Sequence, residues 1–245
     1  AAEVADEVRA RAELVRPAGH HPAALLERVG ERHRGRIVPD RVAARGLVVR
    51  DLHVGDAAHR EVVLRLAHGL VVGVVDGEDV DVLVLGMGTG TFATQCREYF
   101  PGTDVEGVEI DEKITALARE YFRLDESVKV TTYDGRAFLN VCQDDYDVIL
   151  VDAYQDITIP FQMSSVEFFR LVQSHLRPGG VMIVNMNMHT DAPDNINDYL
   201  SDTIAAVFPY VATVDVPWTT NRELFAAETD VFAAFADHAA ALEND

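Results

Sequence analysis

Two cysteines in 245 residues, Cys96 and Cys142, leave no material for a disulfide framework. They fall in separate predicted helices with no metal-ligand spacing around them, so a reducing compartment, the cytoplasm, is the expected setting. Basic residues are scarce as well: 21 Lys and Arg stand against 41 Asp and Glu, for a net charge of −20. Such a surface repels phosphate backbones and anionic lipid, which argues against nucleic acid and membrane as partners and is compatible with a cationic small molecule. Long apolar runs are missing too. The longest, around Leu70–Val75, is far shorter than the roughly 20 residues a membrane-spanning helix needs. The opening AAEVADEVRARAELV is charged throughout, unlike a signal peptide. There is no Gly-x-Ser-x-Gly elbow and no Walker loop. The histidines show no ligand spacing, and no metal is expected. Internal repeats and low-complexity linkers are absent. What remains is a chain with 48% hydrophobic residues, enough for one large domain with a small appendage.

The chain is organised around Val80–Gly90. Val80-Asp81-Val82-Leu83-Val84-Leu85 is an apolar run of buried-strand length that stops at Gly86-Met87-Gly88-Thr89-Gly90. A helix pattern follows over Thr91–Phe100, then a strand over Asp104–Val108 that ends in Glu109. Strand, glycine turn, helix, strand and acid is the plan of a nucleoside site in a parallel sheet. The glycines let backbone N–H groups approach a ligand without Cβ atoms intervening. A carboxylate at the tip of the second strand can accept both hydroxyls of a ribose. The dinucleotide fingerprint requires a third glycine or alanine where Thr91 stands. The G-x-G-x-G spacing looks more like the S-adenosylmethionine sites of class I methyltransferases.

Beyond this unit the chain alternates strand and helix. The expected fold class is α/β: a doubly wound, mostly parallel, methyltransferase-like Rossmann sheet. Residues 76–245 form that domain. Residues 1–75 form an appendage of short helices and strands, with Arg36–Pro39 and Gly46–Val54 paired as a hairpin. Expected strands are Ser127–Thr132, Asp145–Val151 and Val181–Val184, the last after a stop at Arg177-Pro178-Gly179-Gly180. Ser164-Ser165-Val166-Glu167 reads as a capping box. Tyr210–Val216 and Glu223–Ala227, joined by a short link, predict an antiparallel pair. A terminal helix is expected over Asp230–Leu242. Ligands in such sheets lie beyond the carboxyl ends of the strands. The residues expected there are Gly86–Gly90, Glu109, Asp134, Asp152–Asp156 and Asn185–His189. Asp134 reads equally as a turn or helix cap, and His189 as a solvated loop histidine.

At these positions the chain resembles the spermidine synthase family of polyamine aminopropyltransferases, closest to its bacterial spermidine-synthase-like branch. The resemblance runs from Val80 to Ala227 through VLVLGMGTG, GVEIDEKITALAREYF, VTTYDGRAFL, YDVILVDAY and SSVEFFRLVQSHLRPGGVMIVN. It implies that Gly86, Gly88, Thr89 and Gly90 surround the amino-acid end of the nucleoside donor. It implies that Glu109 holds the ribose and that Asp134, with Gly135, meets the adenine. Asp152 is implied as the general base, with Tyr154, Gln155 and Asp156 beside the amine substrate. The donor would be decarboxylated S-adenosylmethionine or S-adenosylmethionine, the acceptor a di- or polyamine such as putrescine, the assembly a homodimer, with no metal. The chain departs from the family pattern at Thr89, where an aspartate is usual, and in the spacing of Asp152 and Asp156. The family's N-terminal substrate residues have no match in Arg36–Val72. Three functions are therefore open: an aminopropyltransferase, a methyltransferase acting on an amine, and a nucleoside-binding module without chemistry.

Overall fold

Both sides of the sheet are buried, which is why its strands read as near-continuous apolar runs rather than alternating ones. A computed structural model describes residues 48–49, 80–100, 102–154, 159–187, 195–215 and 221–231. The strands are β1 (Val48–Val49), β2 (Val80–Leu85), β3 (Thr103–Glu109), β4 (Lys129–Thr132), β5 (Tyr146–Val151), β6 (Leu176–Met186), β7 (Tyr210–Asp215) and β8 (Arg222–Ala227). The helices are α1 (Thr91–Tyr99), α2 (Glu112–Phe122), α3 (Gly135–Val141), α4 (Val166–Ser174) and α5 (Ile196–Ala205). The sheet order is β1-β7-β8-β6-β5-β2-β3-β4. Every neighbouring pair is parallel except β8, which runs antiparallel to both β6 and β7. The chain travels outward from β2 through β3 to β4, then returns to lay β5 against the other side of β2. That reversal opens a crevice at the β2/β5 carboxyl ends.

Strand alternation sorts the core into two layers. Val82, Val84, Val148, Leu150, Val181, Ile183 and Phe225 pack on one face with Ala93 and Cys96 of α1 and Ala118 of α2. Leu83, Leu85, Ile149, Val151, Met182, Val184 and Leu224 pack on the other with Phe168, Phe169 and Val172 of α4 and Ile204 of α5. Burial pushes the Cys96 thiol up to about 12, so it holds no thiolate near neutral pH. The helices start where short polar side chains can cap them. Asp111, Asp134, Ser165 and Asn195 each accept a backbone N–H from the first turn. The cap of α4 is Ser165, one residue later than the box that starts at Ser164.

Two regions differ from the sequence reading. Arg177-Pro178-Gly179-Gly180 does not stop before the fifth main strand but belongs to it, with a register shift against β5 between Tyr146 and Val148. Arg177 explains this, because its guanidinium spans Asp147 (2.7 Å) and Asp81 (2.5 Å) and straps the segment across the amino ends of β5 and β2. Val48–Val49, from the expected strand Gly46–Val54, pairs in parallel with Thr213–Val214 at the sheet edge. The other N-terminal elements, and the helix expected after Val231, lie outside the described residues. Among the described residues no helix is long and apolar enough to cross a membrane.

One packing contact ties the core to the glycine turn. A Cβ on Gly107 of β3 would stand 2.0 Å from Cε and 3.0 Å from Cβ of Met87. Gly107→Ala is expected to cost about 1–3 kcal/mol through overpacking, read as a lower urea midpoint. Combining it with Met87→Ala should cost less than the sum of the single changes. Additive losses would show that the two positions do not share the space.

Candidate active site

Five strand ends and one strand start meet at the carboxyl rim of the sheet. The alternation that packs Val84, Leu150, Ile183 and Phe225 on one face continues to Gly86, Asp152, Asn185 and Glu223. Glu109 closes β3 alongside them.

The glycine turn is held open by its backbone. Gly86, Gly88 and Gly90 all have positive φ (93°, 54° and 71°), which a side chain would strain. The three positions do different work. A Cβ on Gly86 would lie 2.5 Å from the carbonyl oxygen of Asp152 and 2.8 Å from Cα of Ala153. The turn therefore rests directly on the backbone that carries Asp152, an approach completed by Asp152 N–H donating to the Leu85 carbonyl (2.9 Å). A Cβ on Gly90 would run into the Leu124 side chain (2.6 Å), so this glycine serves packing. A Cβ on Gly88 would meet nothing within 4 Å, so Gly88 borders open space. Its N–H donates to Oε2 of Glu109 (2.9 Å), while Oε1 accepts from the Asp111 N–H (3.1 Å). Glu109 is buried, and each of its oxygens keeps a lone pair for a further donor. Thr89 is exposed, its hydroxyl 2.9 Å from that of Thr91.

Asp134 and Gly135 stand at the start of α3, next to the end of β3 through Tyr133 N–H donating to the Glu109 carbonyl (3.0 Å). One Asp134 oxygen caps the helix by accepting from Ala137 N–H (2.8 Å). The cap reading of Asp134 thus holds for one of its oxygens.

Asp152 follows β5 directly and is half-buried. Its Oδ1 accepts from the Asn185 amide (2.8 Å), and the Asn185 oxygen accepts in turn from the Asn221 amide (3.0 Å). Burial raises the Asp152 carboxyl above the usual carboxylate range, and the Asn185 bond opposes that rise only in part. Tyr154 is a strut: its hydroxyl donates to the Asn185 carbonyl and accepts from Asn187 N–H (2.8 Å). The Asn187 carbonyl is held by the buried Asn197 at the start of α5 (3.0 Å). Gln155, Asp156 and His189 lie outside the described residues. Among the described residues no group of His, Cys, Asp and Glu is placed to hold a metal ion.

Sequence reasoning missed Glu223, Asn185's role as the amide on Asp152, and Asn221. Glu223 pairs in register with Asn185 of β6. Because β8 is antiparallel, its first residues rather than its last reach the rim. That orientation was the available signal, since the short β7–β8 link already predicted it. Glu223 is half-buried, and desolvation of its carboxyl first, then the nearby Asp152 charge, push it up to about 8. The folded chain consequently keeps a proton there that the unfolded chain loses above about pH 4.5. The sign follows from linkage: stability falls as pH rises from about 4.5 to about 8, because ionising the folded site costs energy. Urea midpoints should drop between about pH 5 and pH 8 in the wild type and drop less in Glu223→Gln. Parallel pH curves for the two proteins would remove this coupling.

A probable polyamine aminopropyl transferase from Bifidobacterium longum (strain NCC 2705) is 64% identical over 146 residues, covering 59% of this chain and 33% of that protein. The chain therefore spans about a third of the length of this curated relative. Two solved structures share the fold. Human methyltransferase-like protein 13 in complex with SAH superposes with a TM-score of 0.63 at 22% identity, covering 78% of this chain and 94% of that one. A probable spermidine synthase from Corynebacterium glutamicum ATCC 13032 gives 0.62 at 21% identity, covering 78% and 74%. The spermine/spermidine synthase domain model matches residues 65–226, a stretch that holds the glycine turn, Glu109, Asp134, Asp152 and Glu223, and the chain belongs to that family.

Proposed function

We propose that the protein transfers an aminopropyl group from decarboxylated S-adenosylmethionine to a di- or polyamine such as putrescine, with Asp152 as the general base. The observation that carries this reading is Asp152: a carboxylate withdrawn from water, held by a neutral amide and seated against the glycine turn. The name of the Bifidobacterium longum relative supports the same activity.

The residues fit the donor. Gly88 leaves space where a side chain would stand, and Glu109 retains lone pairs toward ribose hydroxyls. The Asp134 oxygen not used in capping is left for an adenine amino group. The donor supplies a carbon activated by a sulfonium and a neutral thioether leaving group, so no oxyanion needs stabilising. What the chain must supply is an amine with a free electron pair. An alkylamine arrives as ammonium; Asp152 orients it and accepts its proton as nitrogen meets carbon. Desolvation makes Asp152 a stronger proton acceptor than an exposed aspartate, which narrows the mismatch with an ammonium.

Thr89 favours a second reading. An acid at that position would pair with the ammonium on the propyl arm of the decarboxylated donor; a threonine hydroxyl brings no charge there. A methyltransferase using S-adenosylmethionine on an amine is the alternative. Calorimetric titration with both donor forms, followed by product analysis with putrescine, separates the two. Selective binding of the decarboxylated form and an aminopropylated product are expected; a methylated product would replace the first reading with the second. Asp152→Asn should lower kcat by about 10²–10⁴-fold with donor affinity near wild type. Retained turnover would exclude Asp152 as the base. Glu109→Ala should weaken donor binding first, and unchanged affinity would contradict its contact with the ribose.

A further inference from the structure

We propose that Glu223 is the second carboxylate of the acceptor pocket: it faces Asp152 across β6, and the two together take up the acceptor as a dication in exchange for one proton. This rests on the reading of the rim as an amine-alkylating site.

Placement comes first. Asp152, Asn185 and Glu223 continue one face of three adjacent strands, β5, β6 and β8. Two strand spacings set the backbones of the acids roughly 10 Å apart, and on the strand between them the Asn185 amide is bonded to Asp152. Both acids act electrostatically on the Tyr154 hydroxyl, and the Asp152 charge acts on Glu223. Asp152 and Tyr154 are the titratable groups facing Glu223 among the described residues. Arg222, its neighbour on β8, alternates to the opposite face with Leu224 and Ala226.

The chemistry of the surroundings is the second observation. The side chain bonded to Asp152, Asn185, and the one bonded to it in turn, Asn221, are neutral amides. Among the described residues no lysine, arginine or histidine is bonded to either carboxylate. Two neighbouring half-buried acids with no cation bonded to either among the described residues cannot both ionise cheaply, so one proton stays on the pair, and Glu223 is the group pushed up to about 8. An arriving ammonium changes that balance. The Glu223 O–H breaks, its proton passes to water, and the carboxylate left behind pairs with the cation. Asp152 remains ionised for its own task. No other bond changes in this step. A pocket that ends with two negative charges favours a dication over a monocation of equal length.

The test uses putrescine and n-butylamine, which share a four-carbon chain, with methylthioadenosine present to fill the donor site. Calorimetry near pH 7 in buffers of different ionisation enthalpy counts protons released. In the wild type, putrescine should release close to one proton per site. Glu223→Gln should release none and lose at least about tenfold of the preference for putrescine over butylamine. Its affinity for methylthioadenosine should be unchanged, and Glu223→Asp should restore proton release in part. Equal proton counts and equal preference in wild type and Glu223→Gln overturn the inference; if both still aminopropylate putrescine with the same KM, the proposed activity stands without it. Failure of the wild type to bind putrescine at all overturns both.

Discussion

The absence of a side chain at Gly86 sets the position of Asp152. The glycine turn after β2 and the backbone after β5 approach so closely that a single methyl group would collide with a carbonyl oxygen and an α-carbon. Because β2 and β5 are direct neighbours at the point where the strand order reverses, this contact brings the glycine turn and an acid into one crevice. The Glu109 bond to Gly88 N–H fastens the turn from the other side. The glycine turn, Glu109 and Asp152 are thereby a single braced unit rather than three residues on independent loops. Preorganisation of this kind removes the need to reposition groups as charge moves.

Around Asp152 the described residues supply amides rather than cations. An arginine beside Asp152 would neutralise it and lower its proton affinity; Asn185 orients it with a single hydrogen bond and leaves its charge uncompensated. Asn221 in turn orients Asn185, and Tyr154 fastens the carbonyl of the same residue and the N–H of Asn187. The ionic strap at the opposite rim, Arg177 on Asp81 and Asp147, shows the contrast. There the sheet pairs its acids fully, and they serve the fold. At the carboxyl rim no cation among the described residues is bonded to Asp152 or Glu223, a pattern suited to binding a cation.

Much of this was legible in the residues. The VDVLVL and YDVILV runs announced strands buried on both faces, and the glycine turn and Glu109 announced two groups that the structure brings into contact. Asp111, Asp134, Ser165 and Asn195 marked helix starts through local chemistry that a chain carries with it. The Arg177–Gly180 segment misled, because proline and glycine punctuate a chain only when nothing distant holds it, and Arg177 is held by two acids far away in sequence.

The sequence by itself determined the order of elements, the parallel core and the acids that end its strands, since periodicity, capping and turn chemistry are local. It also placed the chain in its family. Tertiary structure alone decided which polar groups meet. Asn185 became the partner of Asp152, Tyr154 a brace, and Glu223 a neighbour of the buried acid, through contacts that span 31 to 36 residues of chain or depend on the direction of β8. No local pattern encodes such encounters. They follow from strand order and register, which are settled only when both faces of the sheet are buried together.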